Sequence, residues 1–191
     1  MLIKVYQIHV SLVDSKPPIW RRLQVLSNTF LPDLHNILQI AMGWSNSHLH
    51  QFVARGAYYT PLSYADMGMG DDVGYEVVKI SDVLRNEKDN MAYVYDFGDD
   101  WTHKIVLEKI LPVEQGIRYP VCIKGKSACP PEDCGGVYGY MNLLEVLKDP
   151  KHEDYEDMME WVGEKLDPKA FSLEMVNNRL WKAIPVRGPI R

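Results

Sequence analysis

Apolar and polar residues alternate from the start of the chain. Tyr6, Ile8, Val10 and Leu12 interleave with Gln7, His9 and Ser11, the period of a half-buried strand over residues 6–13. Ile3 and Val5 have the opposite parity, which places either the strand's start or a bulge near Val5 and Tyr6. Residues 14–18, Asp-Ser-Lys-Pro-Pro, are turn chemistry. Beyond them residues 19–26 predict a second strand, with Ile19, Arg21, Leu23 and Val25 on one face and Trp20, Arg22, Gln24 and Leu26 on the other. The two strands read as a hairpin. The period then changes: Leu31, Leu34, Ile37, Leu38, Ala41 and Met42 recur at helical spacing, Ser27, Asn28 and Thr29 offer caps, Pro32 falls in the first turn, and Gly43 ends the helix.

Residues 49–54 alternate again as a strand. Residues 55–74 hold no sustained period, and 64–74 are expected to be a mobile loop. Residues 92–97 and 101–111 flank Gly98-Asp99-Asp100, and a three-residue loop there pairs Phe97 with Trp101 and Tyr95 with His103. Residues 116–136 collect Pro, Gly and all three cysteines and are expected to be irregular. Three short helices follow, over about 138–148, about 153–162, and a third capped by Ser172, before a tail at about 184–191. Strands, helix, strands, then helices predict an α+β fold rather than alternating βαβ units. It is an antiparallel sheet built from hairpins, with one helix in the N-terminal half and three short C-terminal helices, in one domain over 1–191.

Composition adds limits. With 21 Lys plus Arg against 26 Asp plus Glu, the net charge of −5 gives no general field for phosphate backbones, so nucleic acid is not an expected partner. No run of about 18 apolar residues and no leader pattern is found, and three cysteines do not make a disulfide framework. The expectation is a cytoplasmic protein without membrane contact.

Several side chains invite chemistry. His48 and His50, two apart on a strand, project from one face roughly 7 Å apart and could share a metal ion with Asp96, but local spacing fixes no third ligand, so no tight metal site and no cofactor are expected. Asp96 sits where a strand disfavours Asp and calls for a partner, for which Arg21 or Arg22 is the candidate, whereas Asp99 and Asp100 read as turn residues. Cys122, Cys129 and Cys134 lack zinc-knuckle spacing. Cys134, next to Gly135-Gly136 and a helix start, is the one nucleophile candidate; Glu132 and Asp133 beside it favour the thiol and are expected to cap that helix. Trp20, Trp44 and Trp101 could line a groove with Tyr58 and Tyr59, against the simpler reading as core.

Read in order, Pro18-Ile19-Trp20-Arg21-Arg22, Leu34-His35, Gly43-Trp44, His48-Leu49-His50-Gln51-Phe52, the run from Tyr93 to Trp101 and the run from Cys129 to Gly136 resemble the plasmid pRiA4b ORF-3-like family. The resemblance runs from about Tyr6 to Leu180. It implies a bacterial or archaeal protein of unassigned activity, some of whose relatives carry a resolvase label through mobile elements. The residues do not support recombinase chemistry, since Ser11 or Ser15 near Arg21 and Arg22 in an acidic chain is only a superficial match. The function expected is therefore a non-enzymatic binding or adaptor domain, for a protein or peptide. The alternative is a metal-dependent hydrolase or nuclease-like enzyme using His48, His50 and Asp96.

Overall fold

A computed structural model of the chain describes residues 2–67, 72–163 and 166–184, without the side chains of 65–67. The first hairpin forms as its alternation dictates, from β1 (Val5–Leu12) and β2 (Trp20–Leu26). On β2, Arg21, Leu23 and Val25 are buried and Trp20, Arg22 and Gln24 only half-buried. The parity conflict in β1 is not resolved by a bulge in that strand: the register slips between Gln7 and Ile8, but the extra residue is Glu108 of the neighbouring strand, and Val5 and Tyr6 are both buried on opposite faces. Helix α1 (Leu31–Met42) ends on Gly43 in the left-handed conformation. Its N-cap is Phe30, without a side-chain cap, and Ser27 Oγ accepts instead from the Lys4 amide.

β3 (His50–Ala54) and β4 (Ala57–Thr60) form a tight hairpin whose two loop residues, Arg55 and Gly56, both have positive φ. The expected loop at 64–74 opens in a 3₁₀ turn over Leu62–Met67 and closes in β5 (Val73–Gly74), which pairs parallel to β4. Residues 68–71 of that loop lie outside the described residues, as do 185–191 of the expected tail. A four-residue helix, α2 (Ile80–Val83), then leads into β6 (Asn90–Tyr95) and β7 (Trp101–Leu111).

The β6–β7 register differs from expectation by two residues: Tyr95 faces Trp101 and Tyr93 faces His103. The turn thus spans Asp96 to Asp100, with Asp96 at φ 60° and Asp100 at φ 52°. A slip of two preserves side-chain parity, so Tyr93, Tyr95, Trp101, His103, Ile105 and Leu107 still share the buried face, and only Phe97 leaves it. The cysteine-rich stretch is not wholly irregular either, since β8 (Val121–Lys126) pairs with β2. The C-terminal helices are α3 (Gly136–Val146), α4 (Tyr155–Val162) and α5 (Leu173–Ala183), the last capped by Ser172 Oγ accepting from the Met175 amide.

The result is a mixed α+β fold on one eight-stranded sheet, order β5-β4-β3-β6-β7-β1-β2-β8, antiparallel except at β4–β5. Helix α1 lies on the face carrying Phe52, Tyr93, Ile8 and Leu23, and its Leu34, Ile37 and Leu38 complete the core. Helix α5 closes the β8 edge. The Asn177 side chain accepts from the Cys122 amide and donates to the Cys122 carbonyl, so an amide group pairs with the outer strand as another strand would. Among the described residues no helix is long and apolar enough to cross a membrane.

Candidate functional site: a polar cleft at the end of the sheet

The N-terminal end of α1, the α1–β3 connection, the 3₁₀ turn, Tyr75 and the β6–β7 turn surround a cleft of about 650 Å³. Its floor is a pair of imidazoles. His35 occupies the apolar stripe of α1 and stacks on His50 of β3, the ring centroids 3.5 Å apart and the planes within 5°. Gln39 Nε2 donates to Tyr93 Oη, which leaves the Tyr93 hydroxyl to donate to His35 Nδ1; His35 Nε2–H then donates to Asn46 Oδ1. This chain of partners assigns the His35 tautomer. His50 Nε2 meets Tyr75 Oη at 2.8 Å and its Nδ1 faces Tyr64 Oη at 3.4 Å. Burial disfavours a charged ring and lowers the pKa of His35 to about 4 and of His50 to about 3, the second also because a charge on His35 would repel it. The floor is therefore neutral.

One wall carries charge. Asp96 is nine-tenths buried, and its Oδ1 accepts from the Gly98 amide at 2.9 Å, the local bond that holds a left-handed Asp at the head of the turn. Its Oδ2 faces His48 Nδ1 at 3.6 Å, and on the other side of that ring Nε2 stands 3.2 Å from Asp133 Oδ1. One ligand atom from each of His48, Asp96 and Asp133 lies within 4.8 Å of the others. Asp133 reaches this corner because the loop after Cys129 is pinned from several sides. Trp44 Nε1 donates to the Pro130 carbonyl, Glu132 accepts from the Ser45 amide and from Tyr95 Oη at 2.6 Å, and Asp133 itself turns at φ 60°. A Cβ on Gly136 would run into the Asp99 carbonyl, so only glycine lets the start of α3 rest on the β6–β7 turn.

Several expectations are corrected by this geometry. His48 and His50 do not act as a pair: β3 begins at His50, so strand alternation does not extend to His48, and both His50 nitrogens face tyrosine hydroxyls. Neither arginine meets the β6–β7 turn. Arg22 makes a two-pronged contact with Glu108 across β1, at 2.6 and 2.8 Å, while Arg21, buried under the Phe171 ring, donates to the carbonyls of Ala41, Trp20 and Lys126. Glu132 and Asp133 do not cap α3, since their carboxylates turn toward Ser45, Tyr95 and His48; Asp99 Oδ2 accepts from the Gly135 amide instead.

The tryptophans do not gather in one groove. Trp44 stacks on Tyr95 at 5.1 Å and packs near the fully buried Trp101, beneath the corner, whereas Trp20 lies on the outward face of β2 with Arg22 and His9. Burial, with Asp99 and Asp133 adding to it, pushes the Cys134 thiol up to about 12. Sequence reasoning did not single out His35, Asn46, Tyr64 or Tyr75 for the cleft. The one signal was His35, a polar residue on an apolar helical stripe.

A model of the plasmid pRiA4b ORF-3-like protein family matches residues 4–175. The chain belongs to this family. The uncharacterised protein y4hQ of Sinorhizobium fredii (strain NBRC 101917 / NGR234) is 37% identical over 163 residues, spanning 85% of this chain and 83% of that protein. The crystal structure of the protein of unknown function MM3350 from Methanosarcina mazei Go1 matches with a TM-score of 0.80 at 40% identity, covering 92% of this chain and 97% of that one. The strings that carry the family resemblance meet around the corner: His35, Trp44, the His48 segment, the β6–β7 turn and the Cys129–Gly136 loop all contribute to it.

Proposed function

We propose that this protein is a binding protein whose site is the cleft, and that it holds a divalent cation among His48, Asp96 and Asp133 beside a small polar molecule. The observation that supports this reading is the convergence of one imidazole and two carboxylates, from three separate segments, at the rim of a cleft. A nitrogen with two carboxylate oxygens suits zinc, manganese or iron(II), and three protein ligands leave coordination positions open. His48 and Asp96 line the cleft and Asp133 stands outside it, so those positions face the cleft. Asp133, its side chain 69% exposed, has room to move toward ligand distances of about 2.1 Å.

A second reading, metal-assisted hydrolysis, draws on the ligand count, which is that of catalytic rather than structural zinc sites. It replaces His50 with Asp133 in the expected set and requires turnover, which simple binding does not.

Titration calorimetry of chelator-stripped, untagged protein with Zn²⁺ and with Mn²⁺ is the test. About one ion per chain is expected, with Asp96→Asn and Asp133→Asn each weakening affinity at least about tenfold. Asn retains the acceptor for Gly98 and tolerates the left-handed conformation, so Asp96→Asn should keep the fold and its circular dichroism. Absence of saturable binding of either ion, or unchanged affinity in Asp133→Asn, overturns the reading.

A further inference from the structure

We infer that the face of the sheet turned away from the helices binds single-stranded nucleic acid, with Trp20 as the stacking surface and lysines on both sides of it. Helices α1 to α5 all place apolar residues in one core, on the face that carries Ile8, Leu23 and Tyr93. The opposite face has no such cover: Trp20, Val53, Val94 and Val106 take no part in that core. Register arranges the residues of the open face in rows. Lys104 of β7, Ser11 of β1, Trp20 of β2 and Lys126 of β8 stand side by side, and in the next row Val106, His9, Arg22 and Lys124 do the same. Strand spacing puts Lys104 and Lys126 roughly 14 Å apart with Trp20 between them, and the two rows roughly 7 Å apart.

Glu108 is the one acid among the open-face positions of these four strands, and Arg22 grips it. Lys104, Lys124 and Lys126 are exposed and form no ion pair among the described residues. A local positive field therefore exists that the net charge of −5 conceals. Charge alone suits any polyanion, and the aromatic ring narrows the choice. The Trp20 ring leans along the sheet toward the second row, its centroid 5.1 Å from that of His9 and 5.5 Å from the guanidinium carbon of Arg22, and Ser11 beside it is too small to cover it. The face of such a ring is electron-rich and does not attract carboxylates, so an acidic peptide would gain from the lysines alone. A nucleotide brings both a flat base for the ring and a phosphate for a lysine. An anionic membrane calls for apolar side chains that project, whereas Val53, Val94 and Val106 are half-buried among their neighbours. In a duplex the bases are stacked on one another, so the strand that fits is single. None of these residues lines the cleft, and the inference does not draw on the reading proposed for it.

The experiment is fluorescence anisotropy of labelled oligothymidylate and oligouridylate, each about 15 nucleotides long, titrated with the full chain in EDTA at about 50 mM salt, so that the metal reading does not enter the result. Saturable binding of one or both is expected, and the tighter of the two assigns the source to DNA or to RNA. The logarithm of the affinity should fall against that of the salt concentration with a slope of about −2, the value for three phosphate contacts on a single strand. Trp20→Ala should weaken binding at least about fivefold, and Trp20→Phe, which keeps a flat ring, should weaken it less. Lys124→Glu combined with Lys126→Glu should cost at least about tenfold, while Lys151→Glu combined with Lys169→Glu, the same change of net charge in the connections between helices, should cost less than about twofold, with circular dichroism unchanged in both. Absence of saturable binding of either strand, unchanged affinity in Trp20→Ala, or equal losses in the two lysine pairs overturns the inference. So does binding as tight as that of the single strands by a DNA duplex, by polyglutamate or by vesicles of equal parts phosphatidylserine and phosphatidylcholine.

Discussion

Two adjacent arginines on β2 show how much a residue's worth depends on where its strand puts it. Arg21 carries its guanidinium into the core without a carboxylate; its Nε donates to the Ala41 carbonyl, one of the α1 carbonyls left without an intrahelical donor, and its Nη1 donates to the Trp20 and Lys126 carbonyls. Burial lowers its pKa, but an arginine starts so high that it stays charged. Arg22, one residue on, grips Glu108 where both side chains are about a quarter exposed. Replacing Arg21 with Met leaves three carbonyls without their donor and should cost about 3 kcal/mol, whereas Arg22→Met should cost about 1 kcal/mol or less, since partly solvated ion pairs contribute little. Urea denaturation of both variants checks the contrast; equal losses would contradict it. The sequence put the two arginines on opposite faces, because alternation fixes faces. It did not show their partners, because Glu108 comes beside Arg22 only when β7 and β2 flank β1, and that strand order is not written in any local pattern.

At the scale of elements, legibility followed period and failed where geometry is set by a few dihedrals. The β6–β7 hairpin was readable as two aromatic strands, but its turn was read two residues too short, because Asp96 and Asp100 adopt positive φ where a loop of Gly98, Asp99 and Asp100 looked sufficient. β4 and β5 were missed since strands of four and two residues carry too few alternations to stand out, and β8 because its Val-Cys-Ile-Lys-Gly-Lys run does not alternate. The candidate site shared that fate: His48 and Asp96 were named from local oddity, while Asp133 was given a capping role because its approach to His48 depends on a loop held by Trp44, Ser45 and Tyr95. The β8 edge yields a prediction of its own. Asn177 satisfies both backbone groups of Cys122, so Asn177→Ala leaves a buried donor and acceptor open and should cost roughly 2–3 kcal/mol. Exchange of the Cys122 amide with deuterium should speed up beyond that of amides in β1. Unchanged protection at Cys122 would mean that the side-chain cap contributes nothing to closing the edge.

Across the whole molecule, the largest uncompensated demand is for histidines to stay neutral. His35 and His50 on the cleft floor and His103 under Trp44 come from α1, β3 and β7, so the packing of three elements at once depends on uncharged rings. Burial brings His103 to about 4, alongside about 4 for His35 and about 3 for His50, and it lowers His9 in the same direction. In the unfolded chain each would titrate near 6.5. Below that pH the unfolded state binds protons that the folded state refuses, so stability is full above about pH 6.5 and declines as pH falls toward the folded values. Three such groups give a slope approaching roughly 4 kcal/mol per pH unit near pH 5, large against a typical total of 5–15 kcal/mol. The carboxylates of Glu108 and Asp89, held low mainly by Arg22 and by the Arg85 and Asn86 amides respectively, act in a lower window: their contribution is present above about pH 4 and is lost as pH falls through their folded values. The two windows can be separated by experiment. Urea midpoints measured at pH 7.5, 6.5, 5.5 and 5.0 should hold between the first two and then drop steeply, before carboxylates protonate. His50→Gln, which retains a hydrogen-bonding side chain without a titrating ring, should flatten the drop by about one proton's share, 1.4 kcal/mol per pH unit. A midpoint that stays level from pH 7.5 to 5.0, or a drop that His50→Gln leaves unchanged, would show that the rings accept protons in the fold and that the cleft floor is not held neutral.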